Sequence, residues 1–263
     1  MLAPMRWLPS FLVAVAALFP ARASAQIVNV QPLIGAQQDK AKEGASLAFE
    51  GSADVRRGNT SLVTLSGSAV GLYRSGRHLV FLLVRGDYGE NNDATFLSKD
   101  LEHVRYRIDI KGPLAGEVYV QHDRDDFRRL SLRALGGAGP RLHFGWWNLF
   151  SATFGTSYML EHEILAGGDY ADAGEDVLSH RLSTYVTLET LVSERLSLAV
   201  TMFAQPRLDE FGDVRVLCET SMLSKATKYL SMKLSLTSAF DARPPSGVAP
   251  LDTSMKGALQ ANF

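Results

Sequence analysis

The chain carries 263 residues with a formal net charge of −1, a mean hydropathy near zero and one cysteine, Cys218. That balance excludes a general nucleic-acid binder and leaves no steering field, and a lone thiol excludes an internal disulfide. A hydropathy near zero suits a soluble globule. It equally suits a membrane barrel whose outward apolar residues alternate with inward polar ones.

Arg6 opens the chain with a positive charge, Phe11-Leu-Val-Ala-Val-Ala-Ala-Leu-Phe19 is a short apolar run, and Ala23-Ser24-Ala25 fits the small-x-small cleavage rule. These features predict a signal peptide over residues 1–25, cleaved on export. About ten apolar residues between Pro9 and Pro20 fall short of the roughly 20 that a membrane helix needs. No comparable run follows residue 26. Residues 26–44, with Gln37-Gln-Asp-Lys-Ala-Lys-Glu43, alternate little and read as a periplasmic lead-in to a barrel over 45–263.

From Ala45 onward, apolar and polar residues alternate in segments near 45–55, 60–73, 78–87, 97–110, 114–123, 127–143, 149–163, 178–191, 195–205, 213–223, 229–241 and 251–263. Period two puts neighbouring side chains on opposite faces. Twelve is an even number, and each segment is long enough for a tilted transmembrane strand of about 9–11 residues. In segment 104–110, Arg105, Arg107 and Asp109 take one side, while Val104, Tyr106, Ile108 and Ile110 take the other. Leu196, Leu198, Val200 and Met202 make an equally clean apolar face, and Leu230–Thr237 repeats the scheme. Leu79–Val84 is apolar on both faces, as a buried sandwich strand would be. The last segment alternates up to the aromatic Phe263, the kind of end that outer-membrane assembly machinery reads.

The connections take turns between two kinds. Residues 74–77, 111–113, 145–148, 192–194 and 224–228 are short turns. Residues 89–94, 122–126, 167–176, 207–213 and 243–250 are mostly longer, and most are rich in acid; the basic 56–60 opens this second set. Short periplasmic turns alternating with longer outer loops is the transmembrane-barrel arrangement. A soluble sandwich gives loop length no reason to follow strand parity.

Several motifs together resemble the salt-induced outer-membrane protein family, also known as domain of unknown function 481. They are Gly58-Asn59-Thr60, Arg105-Tyr106, Glu117-x-x-x-Gln121, Phe127–Gly139, Tyr158-Met-Leu-Glu161, His180–Tyr185, Gln205–Asp209, Asp241–Val248 and the final Phe263. The likeness covers nearly the whole mature chain, with Pro140 as a departure that suggests a bulge or strand end. It implies an all-β, single antiparallel outer-membrane barrel of a Gram-negative bacterium and an association with salt stress. It implies no settled biochemical activity.

With apolar faces toward lipid, the polar faces line the lumen. That register places Arg105, Arg107, Arg129, Arg133, Arg141, Arg181 and Arg215 inside, with Glu50, Asp54, Asp109, Glu117, Glu161, Glu163, Glu189 and Glu219. Opposite charges in a narrow interior are expected to pair, because an isolated buried charge is very costly. The competing reading is an arginine ladder that conducts anions. Trp146 and Trp147, beside Phe144 and Phe150, read as interfacial aromatics.

Gly136-Gly-Ala-Gly139 lacks the Lys-Ser/Thr of a phosphate loop. His103, His122 and Glu161 lack metal-ligand spacing, so neither a metal nor a cofactor is expected. The expected partners are membrane lipid, lipopolysaccharide and, during biogenesis, the barrel assembly machinery, with no nucleic acid. The first functional reading is an envelope barrel with a structural or narrow-pore role and no enzymatic activity. The alternative is a phospholipase- or omptin-like surface hydrolase, using His162 or His180 with a serine, or His122 with Asp123, Asp125 or Asp126.

Overall fold

A computed structural model describes residues 43–56, 62–91, 94–147 and 149–262. The expected signal peptide, most of the lead-in, the Gly58-Asn59-Thr60 motif and Phe263 lie outside the described residues. The described chain forms twelve strands. They are β1 (Gly44–Arg56), β2 (Leu62–Ser75), β3 (His78–Asn91), β4 (Ala94–Lys111), β5 (Leu114–Asp125), β6 (Leu130–Trp146), β7 (Phe150–Leu165), β8 (Asp176–Ser193), β9 (Leu196–Pro206), β10 (Val214–Lys225), β11 (Leu230–Asp241) and β12 (Leu251–Asn262). Each pairs antiparallel with its sequence neighbour, and β1 pairs with β12 to close the barrel.

Alternation decides which face goes where. Along β5, Glu117, Tyr119, Gln121, Asp123 and Asp125 are buried, whereas Val118 and Val120 are exposed. The exposed set continues around the wall through Leu82, Val104, Leu188, Met202 and Leu236. An outward apolar belt of that extent belongs against acyl chains rather than water. Five turns of two to four residues share one end of the barrel with both ends of the described chain, and the long loops 166–175, 207–213 and 242–250 lie at the other. There β3 and β4 come within two residues of each other, so most of the expected 89–94 loop is strand. Gly76 and Gly112, with φ of 55° and 57°, supply the left-handed conformation that two-residue hairpins need.

The two-sided apolar segment of β3 has a simple explanation. Val80, Leu82 and Val84 face outward, while Leu79, Phe81 and Leu83 join Ala48, Val70, Leu72 and Leu101 in an apolar cluster inside the barrel. Part of the lumen is therefore a hydrophobic core.

Other local findings also differ from the sequence reading. Strand β5 runs through Asp125, so most of the expected 122–126 loop is strand. A single 3-10 turn, Asp126–Arg128, follows, and Arg129 takes a left-handed conformation before β6 starts at Leu130. Arg129 is thus a loop residue, not a strand residue. Pro140 lies mid-strand: it pairs with Gly116 on the β5 side, while the β7 ladder skips Gly139 and Pro140 at unchanged register. A missing donor explains that skip without a bulge.

Candidate functional site

The inward faces of β5–β8 and β10–β11 carry most of the buried charge, and the centre of it is Glu161 on β7. Arg133 donates to its Oε2 at 2.8 Å from Nε, and Arg181 and Arg215 donate to Oε1 at 3.0 and 2.8 Å. All four side chains are buried. The arginines are shared onward: Arg215 donates to Asp241 at 2.9 Å and to Glu163 at 3.0 Å, and Arg181 to Asp213 at 3.1 Å. Asp123 stands 3.7 Å from Arg133. Groups from six strands and one loop are therefore joined across the lumen.

Nearer the turn end, Glu117 accepts from Arg105 at 3.3 Å and from the Tyr185 hydroxyl at 2.9 Å, with Arg141 at 3.5 Å. The Arg105 guanidinium lies 5.1 Å from the centre of the Tyr119 ring. Below it, Asp109 joins Arg74 at 2.7 Å and Arg107 at 3.4 Å. The glycines of β6 and β7 make room for the tyrosines. A β-carbon on Gly137 would collide with Tyr119, and one on Gly155 with Tyr185. Close aromatic approach is a reason for glycine inside a barrel strand.

Residues from several of the family-like motifs meet around one small cavity of about 30 Å³, lined by Arg105, Glu117, Gln121, Ser183, Tyr185 and Gln205. His103 hydrogen-bonds Gln121 at 3.0 Å there, and Gln205 donates to Ser183 at 2.9 Å. A second cavity of about 100 Å³ is lined from β1–β6 and β10–β12. In it Asp87 accepts from Arg85 and Lys256, both at 3.0 Å, with Lys99 at 4.0 Å. Lys233 donates to Glu50 at 3.1 Å, and Glu219 lines the same space.

Arg129 organises the loop end. Its guanidinium lies 3.6 Å from the centre of the Tyr170 ring and donates to Asp172 at 2.7 Å and to the Ser246 carbonyl at 2.8 Å. Asp172 in turn accepts from the Ser246 amide at 2.6 Å. Three loops are tied in this way, Arg243 paired with Glu210 adds the 207–213 loop, and Arg207 pairs with Asp209 within that loop. Desolvation pushes the Asp172 carboxyl upward, but the Ser246 amide and Arg129 hold it below the usual carboxylate range. The hydrogen bond from Arg207 brings Asp209 down to about 2.

The structure thus places Arg105, Arg107, Glu117, Arg133, Glu161, Arg181, Arg215 and Glu219 on the inner wall, and Asp109 partly exposed at its turn end. Sequence reasoning missed Asp123, Asp213 and Asp241 as members of the central network. It had assigned Asp123 and Asp213 to outer loops, and Asp241 stands at a strand end where alternation fades. Trp146 stacks between Phe144 and Phe150 at 6.0 and 5.4 Å, and Trp147 is 89% exposed in the adjoining turn.

The histidines proposed for hydrolysis lie elsewhere. His122 faces outward beside Glu102 at 2.7 Å, whereas Asp123 and Asp125 point into the barrel, and Asp126 is held by Arg124. His162 meets Asp176 at 2.6 Å and His180 meets Tyr158 at 2.5 Å, both exposed on the outer wall. Asp100, Glu102 and His122 bring ligand-type atoms within 4.8 Å of one another. That convergence arises from register between β4 and β5, so no spacing within one strand announces it.

Residues 50–263 match a family described as protein of unknown function, DUF481. No curated protein matches the chain. Among solved structures, a KdgM porin in complex with disordered oligogalacturonate is 5% identical, with a TM-score of 0.47 over 83% of this chain and 99% of that one. The NanC porin is 8% identical, with a TM-score of 0.49 over 82% and 97%. The translocator domain of the autotransporter NalP from Neisseria meningitidis is 11% identical, with a TM-score of 0.48 over 88% and 92%.

Proposed function

Because the chain belongs to the DUF481 family, we propose that it is an outer-membrane barrel whose lumen is held closed by its own side chains. Its role is then structural, or that of a narrow pore, in the envelope of a Gram-negative bacterium, reached through a cleaved signal peptide and the barrel assembly machinery. The observation that carries this reading is Glu161 gripped by three arginines from β6, β8 and β10. Paired charges of that kind fill a passage, whereas an anion-conducting ladder leaves its arginines without carboxylates. The apolar cluster on β1–β4 fills the facing arc.

Trp146, Phe144 and Phe150 serve as an aromatic anchor at the turn-end interface, and lipopolysaccharide surrounds the loop end. A link to salt adaptation has support in the loop ion pairs: Arg207–Asp209 and Arg243–Glu210 are exposed, and exposed pairs are the ones that ionic strength screens. Planar-bilayer recording of refolded protein tests the reading. Absent or small conductance steps are expected. Large porin-like steps from the wild-type chain would sink the closed lumen.

A further inference from the structure

Along the arc β1–β4 a polar layer of the lumen is stacked, strand by strand, on an apolar one. Residues two apart on a strand share a face, so each inward side chain has one inward neighbour toward the loops and one toward the turns. On β1, Glu50 lines the cavity of about 100 Å³, and Ala48, one step toward the turns, belongs to the apolar cluster. β2 repeats the change, from Ser68 to Val70 and Leu72, and β3 repeats it from Arg85 to Leu83, Phe81 and Leu79. On β4, Lys99 lines the cavity and Leu101 belongs to both layers. Ala48 and Glu50 also lie in the short ladder, Ala48–Gly51 against Leu259–Asn262, that joins β1 to β12. The cavity therefore stands on an apolar floor.

Phe81 is the largest side chain of that floor, and it is fully buried. Its ring meets His103 edge-on at 5.9 Å, and His103 stacks on Tyr119 at 5.9 Å, which carries the floor over to the charged half of the lumen. The cavity on its loop side has no sign of its own. Six carboxylates and six cations line it, and many neutralise one another, as Lys233 does with Glu50, Arg128 with Asp125, and Arg85 and Lys256 with Asp87. Ser68, Ser235, Thr237 and Ser254 add hydroxyls, which both donate and accept. Such a lining favours neither sign of ion, and it can solvate both ends of a dipole. A charge pushed past the floor, by contrast, sheds its water against apolar side chains, which is how apolar constrictions close pores.

We infer that the apolar floor centred on Phe81 is the gate of the barrel. The passage that it closes runs along β1–β4 and admits small uncharged or zwitterionic solutes rather than ions of one sign. This rests on the closed outer-membrane barrel proposed above and adds where its lumen yields first. Opening through the Glu161 network would strand buried charges without partners. Parting the floor breaks apolar contacts and no ion pair.

The test uses the full chain refolded into planar bilayers and vesicles. Phe81→Ser should give conductance steps about tenfold above the wild type, with a reversal potential near zero in a potassium chloride gradient. Its vesicles should swell faster in glycine or glycerol than in the trisaccharide raffinose. Met159→Ser, at an equally buried apolar position in the charged half, should stay at the wild-type level. Where Phe81→Ser fails to refold, Leu83→Thr wets the same layer and takes its place. A thiol comparison needs no gate variant: in a Cys218→Ser background, Ser68→Cys should react with iodoacetamide, and Leu72→Cys should react only once Phe81→Ser is added. Silence from well-folded Phe81→Ser would overturn the gate and leave the closed lumen standing, whereas large wild-type steps would remove both. Equal conductance from Met159→Ser, strong selectivity for either ion, or equal thiol reactivity at residues 68 and 72 without the gate variant would also overturn it.

Discussion

Tyr185 packs against the bare Cα of Gly155, in space that any side chain at residue 155 would need. The ring is buried and its hydroxyl reaches Glu117, so one glycine on β7 sets the position of a carboxylate group on β5. Gly155→Ala should therefore destabilise the barrel by about 1–3 kcal/mol through overpacking. Tyr185→Phe should cost about 1 kcal/mol, the usual loss for one buried hydrogen bond. Urea titration followed by heat-modifiable gel migration measures both, and an unchanged midpoint for Gly155→Ala would contradict the packing.

Glu161→Gln keeps the shape of the side chain and removes the charge that three buried arginines share. Breaking a buried pair by neutralising one partner costs about 3–5 kcal/mol, since the remaining charges stay buried. Glu163→Gln should cost less, because Glu163 meets only Arg215 among these arginines and is less deeply buried. The same urea assay checks the order. Equal effects of the two substitutions would mean that the three-arginine grip contributes nothing particular.

Arg129→Ala should loosen the loops and leave the strands intact. It removes the ties to Asp172, Ser246 and the Tyr170 ring in one step. The expected outcome is faster limited proteolysis within residues 166–175 and 242–250, with an unchanged urea midpoint for the barrel band. Arg129→Lys should restore little, because an ammonium lacks the planar fork that bonds two loops while stacking on a ring.

Acid should loosen the loops 166–175 and 207–213. Asp172 and Asp209 have carboxyls held below their unfolded value, so the stability they lend is fully present above it and is lost as pH falls through the lowered values. For Asp209 that window runs from 3.8 down to about 2. Pepsin nicking of residues 207–213 should rise across this window in the wild type. In Asp209→Asn it should already be elevated at the top of the window, and a flat profile in both chains would exclude the mechanism.

How much of this was legible in the sequence follows from what alternation encodes. Period two fixes strand identity and facing, so the twelve segments and the inward Arg105, Arg133, Glu161 and Arg181 could be read directly. The inward Leu79, Phe81 and Leu83 were harder, because an apolar residue facing a packed lumen looks like one facing lipid. Partners were not legible at all. That Arg215 reaches across from β10 to Glu161 on β7 depends on barrel curvature and ladder register, which leave no mark within a strand. Arg129 was misplaced because its parity suits β6, while the 3-10 turn before it is set by Asp125 capping the Arg128 amide.

The cylinder is braced by charge on one arc and filled by oil-like side chains on the opposite one. A tube built that way flexes along its softer meridian, and the short closing ladder lies on that side. Thermal breathing should concentrate there, so amide exchange in Ser52–Arg56 ought to outpace exchange in Arg181–Thr187, and a thinner bilayer should amplify the contrast.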